Sequence, residues 1–119
     1  MAQYAPGTCN IGSHEKRARF RIGILFELVS VLSAFVLFRS GFEWLVFIPI
    51  FISALGFIQA RQSFCVYYGL RGEYNFKEIG FAKKVSQSLN NRKDIFQSIK
   101  LVLISVSIAA AITIVFLLI

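Results

Sequence analysis

Residues 101–119, LVLISVSIAAAITIVFLLI, run for nineteen positions without a charge. At about 1.5 Å of rise per residue, a helix of that length crosses most of a hydrocarbon core about 30 Å thick. Two more apolar runs precede it, residues 22–38 and 45–58. The middle run reaches full length when Phe42, Trp44, Gln59 and Ala60 are added, and Phe42 and Trp44 then suit an interface, where amphipathic aromatics are favoured. Burying three such runs inside a water-soluble fold of 119 residues, 56% of them hydrophobic, would need more interior than a small domain has. The expected fold is therefore all-α: an integral membrane protein with three transmembrane helices and an interfacial amphipathic segment.

Charge sets the expected orientation. The chain carries a net charge of +7 from thirteen basic and six acidic residues. Four basic residues precede the first run, one lies in the turn after it and eight lie between the second and third runs. Basic residues stay on the cytoplasmic side, so the N-terminus is expected inside, the turn at residues 40–44 outside and the C-terminus outside. The domain plan has four parts. Residues 1–21 form a cytoplasmic loop with a basic flank, and 22–60 a transmembrane hairpin. Residues 61–100 form a basic cytoplasmic or interfacial segment, and 101–119 the C-terminal span. The start is not expected to be a cleaved signal, because no small-residue site follows the first run. Cys9 does not suit a lipoprotein anchor, because no apolar segment precedes it.

Local signals predict the joints. Ser13 is placed to cap a helix beginning near His14, and Asp94 to cap a last helix beginning at Ile95. Gly41 suits a tight hairpin turn, and Pro49 falls near the start of the second span, where proline is tolerated. The second helix meets no breaker before Gly69 and is expected to project beyond the membrane through Tyr68. Phe76, Ile79, Val85 and Leu89 then share one side of an expected interfacial helix. Lys77, Lys83, Lys84, Arg92 and Lys93 are placed to reach lipid phosphates or a partner.

Glu27 is the one acidic residue inside an apolar run. It lies about 7–8 Å into the core from the cytoplasmic side. A carboxylate there should face protein or water. It belongs to a small and polar stripe with Gly23, Ser30 and Ala34, and similar stripes occur at Ser53, Gly56 and Ala60 and at Ser105, Ala109 and Thr113. Such stripes let helix backbones approach. Glu27 is expected to point inward toward Gln59, Ser105 and Arg61. It would be either a structural carboxylate or, in an oligomeric transporter or channel, a proton or ion site. Cys9 and Cys65 are expected on the cytoplasmic side, where a structural disulfide is disfavoured. A redox pair, or a metal site with His14, is the sharper alternative, but the spacing is not that of a metal motif and no metal or cofactor is expected. No nucleotide loop, catalytic triad or paired-carboxylate motif occurs, so neither catalysis nor nucleic-acid binding is expected.

Two stretches carry a resemblance. One is Cys9-Asn10-Ile11-Gly12, followed by Glu15 and the cluster Arg17, Arg19 and Arg21. The other is Gly56-Phe57-Ile58-Gln59-Ala60-Arg61, followed by Phe64-Cys65, Gly69, Gly72 and Asn75-Phe76. Across roughly half the chain they resemble a group of small uncharacterised bacterial membrane proteins. The resemblance implies a bacterial inner membrane, attaches no activity, and draws attention to Cys9, Gln59, Arg61 and Cys65. Small multidrug transporters share the size and the single intramembrane glutamate, but they look like four short spans with tiny loops. The leading expectation is a non-enzymatic membrane subunit or scaffold that contacts anionic lipid and a protein partner through its basic face. Three spans have little interior of their own, which favours association with another chain or a second copy. The alternatives are the ion-coupled transporter around Glu27 and a thiol redox protein using Cys9 and Cys65.

Overall fold

The computed structural model describes residues 4–76, 83–84 and 88–119. It is mostly helical. Helix α1 spans Ser13–Leu37, α2 Phe47–Gln62, α3 Val66–Arg71 and α4 Ser88–Leu118. A 3-10 turn, Glu43–Val46, runs straight into α2. Two short strands, β1 (Glu73–Tyr74) and β2 (Lys83–Lys84), pair antiparallel with Glu73 opposite Lys84. Three helical stretches are long and apolar enough to cross a membrane: Ser13–Leu37, Glu43–Gln62 and Asn90–Leu118. The molecule is 51 Å long. A hydrocarbon core of about 30 Å would leave a substantial end of it outside.

The long helices meet along their small residues. Gly23, Ser30, Ser53, Gly56, Ala60, Ser105, Ala109 and Thr113 are buried, and Ala34 is half-buried. Helices α1 and α2 approach closely at Gly56. A Cβ on Gly56 would lie 2.9 Å from the Arg19 carbonyl and 3.0 Å from the Gly23 nitrogen, so only glycine fits there. The Ser53 hydroxyl donates across the same seam to the Gly23 carbonyl at 2.8 Å. Toward the 3-10 turn, Val46, Ile50 and Ala109 pack together, with Leu37 and Phe116 against them.

Several joints differ from the sequence expectation, and each difference has a cause in tertiary contacts. Gly12, not Ser13, is the N-cap of α1, and no side chain caps it. Its nitrogen donates to the Asn75 carbonyl at 2.8 Å, and a Cβ there would stand 2.9 Å from the Phe76 Cα. Helix α2 does not run through to Tyr68. It stops at Gln62, and Ser63 turns left-handed with φ 52°. Gly69 is no breaker but lies inside α3, against the Phe64 ring and the Ser98 hydroxyl. Helix α4 starts at Ser88, earlier than Ile95, so Asp94 is interior to the helix and caps nothing. Lys83 and Lys84 lie in a strand, which is incompatible with the expected interfacial helix at those positions. Lys77, Ile79, Val85 and the side chain of Leu89 lie outside the described residues. The hairpin turn does use Gly41 at φ 88°, with Arg39 also left-handed at φ 58°. Pro49 falls in the first turn of α2.

Candidate functional site

The N-terminal loop, residues 4–12, crosses one end of the bundle and builds a cap with α3, β1 and the first turns of α4. Its centre is Glu15, which is 2% exposed. One carboxylate oxygen accepts from the Tyr68 hydroxyl at 3.0 Å and from the Asn75 amide at 3.3 Å. The other pairs with the Arg19 guanidinium at 3.0 Å, one helical turn on. The same guanidinium nitrogen lies 3.0 Å from the Cys65 sulfur. Burying a carboxylate is costly unless it is paired and hydrogen-bonded, and both Glu15 oxygens have partners. Burial, first, and the bond to Glu15 push the Tyr68 hydroxyl above its ordinary pKa.

Asn10 explains why α2 breaks at Ser63. Its side chain accepts from the Cys65 nitrogen at 2.7 Å and donates to the Cys65 carbonyl at 3.1 Å, as a paired strand residue would. Its backbone nitrogen donates to the Ser63 carbonyl at 3.0 Å. The Gln59 side chain accepts from the Val66 nitrogen at 2.8 Å and so satisfies the start of α3. Ile11, Cys65 and Tyr68 pack as a small apolar cluster beside these bonds. The two stretches that carry the sequence resemblance are thus in contact through Asn10 and Cys65, and through Glu15 and Asn75.

A second tie fixes the loop to α4. Asp94, fully buried, accepts from the Tyr4 hydroxyl and from the Gly7 nitrogen, each at 2.7 Å. The Tyr4 ring stacks on Tyr74 with 4.8 Å between centroids. Burial, then the bond to Asp94, pushes the Tyr4 hydroxyl far up.

Glu27, Gln59, Arg61 and Ser105 do not form the polar cluster expected of them. Glu27 is exposed on α1, and one of its carboxylate oxygens lies 3.2 Å from the Ser53 hydroxyl, whose single proton the Gly23 carbonyl also claims at 2.8 Å. Gln59 serves α3, and the Ser105 hydroxyl donates to the Leu101 carbonyl of its own helix. Arg61 is exposed and lines a groove with Lys16, Arg17 and Arg21. Cys9 and Cys65 are free thiols. Cys65 is 1% exposed, whereas Cys9 is half-buried, and its thiol is pushed up chiefly by burial. Among the described residues, no group of three His, Cys, Asp or Glu residues is placed to hold a metal. Arg92 and Lys93 are exposed beside Pro6 and Phe96.

The cap was the part least visible in the sequence. Glu15 and Arg19 have the spacing of a helical ion pair, and that signal was available. Nothing local links Asn10 to Cys65 or Tyr4 to Asp94, which are 55 and 90 positions apart. Comparison of the chain with protein-family models, with curated proteins and with solved structures gives no match.

Proposed function

We propose that this chain is a small integral membrane subunit or scaffold with no catalytic role of its own, held in a cell membrane by three spans. Its cap and basic face would lie on the cytoplasmic side and contact anionic lipid and a protein partner or a second copy. The observation that carries this reading is the cap itself. Four separate segments are locked around buried Glu15 and Asp94 into one pre-formed end of the molecule. A pre-formed surface binds without the ordering cost of a loose one. The polar groups of the cap are committed to each other, which suits a recognition element better than a site that must exchange protons with a substrate. The apolar length of the helices and the placement of the basic residues support membrane insertion and orientation. Only 11% of the most apolar window of α1 is buried, so that helix leaves a broad apolar face for lipid or another chain.

The test is gentle solubilisation, followed by identification of the chains that co-purify. The wild type is expected to retain a stoichiometric partner or a second copy, and Glu15→Ala to lose it while staying membrane-inserted. A chain that purifies alone from native membranes as a monomer sinks the reading. One observation favours a second reading, an ion-coupled transporter. Glu27 is exposed and lines a cavity of about 170 Å³ with Ser30, Ile112 and Phe116. A pH-dependent flux in vesicles, abolished by Glu27→Gln in a folded protein, would favour it.

A further inference from the structure

Beside the close contact of Gly23 with Gly56, α1 and α2 enclose a groove of about 690 Å³. Its α1 side is Ser13, Lys16, Arg17, Phe20 and Arg21, a single helical face, and its α2 side is Phe57, Ala60 and Arg61. The two phenylalanines meet edge to face, with 5.5 Å between centroids, and form the apolar wall. Lys16, Arg17, Arg21 and Arg61 are all exposed. Among the described residues none of the four is in an ion pair: the pairs there are Glu15 with Arg19 and Glu73 with Arg71. The described carboxylates are otherwise committed or absent from the groove lining. Asp94 is bound to Tyr4 and Gly7, and Glu27 to Ser53, and Glu43 stands beside the hairpin turn.

We propose that this groove holds the headgroup and upper chain of one anionic phospholipid; the proposal rests on the membrane reading above. Charge complementarity selects the occupant. Four cations without a counter-ion among the described residues surround one opening, and guanidinium groups bind phosphate oxygens through paired donors. The apolar part follows from the next turns of α1. Ile24 and Leu28 continue the same helical face, and they are 44% and 60% exposed. A phosphate at Arg17, Arg21 and Arg61 therefore sends its acyl chain past Phe20 and Phe57 and on along Ile24 and Leu28. A free phosphate would use the cations but leave that path bare. The volume falls within the range of small-molecule sites, about 300–1,000 Å³.

The test uses the full chain in mild detergent, titrated with dioleoylphosphatidylglycerol while bound lipids are counted by native mass spectrometry. A single saturable lipid is expected, and dioleoylphosphatidylcholine should bind far more weakly. In the double variant Arg21→Gln/Arg61→Gln the apparent Kd should rise about thirtyfold, from two lost basic contacts. The charge-matched control Arg71→Gln/Lys100→Gln, at exposed positions outside the groove, should leave it nearly unchanged. Equal weakening in both pairs would mean diffuse attraction to a basic surface and would overturn the proposal. So would equal affinity for the zwitterionic lipid. Full displacement by millimolar inorganic phosphate would assign the groove to a free anion instead. Extraction of the wild-type chain from membranes by carbonate would defeat the membrane reading itself. Failure of the lipid contrast in a protein that resists carbonate would defeat the groove alone.

Discussion

Glu15 decides whether the cap exists as a unit, because Tyr68 of α3, Asn75 after β1 and Arg19 of its own helix all bond to its two oxygens. Replacing it with alanine leaves the Arg19 guanidinium largely buried without a counter-ion. Breaking a buried ion pair costs about 3–5 kcal/mol, and the partial exposure of Arg19 places Glu15→Ala at the low end. Thermal unfolding in detergent should register that loss, and Glu15→Gln should recover part of it through its hydrogen bonds. An alanine variant as stable as wild type would mean that the cap contributes little. The thiols report the same packing. Cys65 should resist a maleimide until the protein unfolds, because it is 1% exposed. Cys9 should react in the folded state, slowly at pH 7.5 and faster as pH rises, since burial holds its thiol above the ordinary value of 9.0. Rapid native labelling of Cys65 would show that the cap opens. Tyr68 adds a pH dependence. Its hydroxyl is raised above 10.0 in the folded state. The stability it brings is then complete below pH 10 and lost as pH rises through the folded value. The cap should hold between pH 7 and 9 and loosen only above about pH 10.

Elements meet here through what their glycines leave out. A methyl group at Gly56 would press on backbone atoms of α1, which cannot move aside as a flexible side chain can. Gly56→Ala should force α1 and α2 apart, break the Ser53 bond to Gly23 and cost about 1–3 kcal/mol. Gly69→Ala should cost about as much, by driving the Phe64 ring and the Ser98 hydroxyl out of their places between α3 and α4. Melting temperatures of the two variants in one detergent check both statements, and an unchanged value at Gly56 would mean that the two backbones do not touch. The long helices were legible in the sequence because apolar length is a local property that one window of residues reveals. The joints were not legible, because their partners lie far along the chain. Ser63 looks helical until Asn10 takes its carbonyl. Asp94 has the residue type of a helix cap, but the Tyr4 hydroxyl and the Gly7 nitrogen claim its carboxylate. Gln59 reads as a polar residue near the end of a span, and its role appears only once α3 begins three residues after Ser63. The candidate site was legible as two short stretches worth attention, and not as the contact between them.

In the whole molecule, charge and packing mark the same end of the bundle. The basic residues lie mainly before the first apolar run and between the second and third. In the fold those two parts of the chain pack against each other, through Asn10 with Cys65, Glu15 with Asn75 and Tyr4 with Asp94. Contacts of this kind require both parts to lie on one side of any membrane the helices cross. Three crossings then put the end of α4 on the other side, because the number is odd. The hairpin turn, with Arg39 as its one basic residue, would then lie on that far side too. A reporter active only outside the cytoplasm, fused after Ile119, should therefore be active, and the same reporter fused directly after Gly72 should be silent. A cytoplasmic reporter should give the opposite pattern. The two fusions also separate two ways of being wrong. If both points report the cytoplasm, one of the three apolar helices does not cross, and the apolar-length argument fails. If the pattern is reversed, the helices cross but the cap and its basic groove face outward. The charge argument then fails, and the cap would need an external partner in place of the cytoplasmic one.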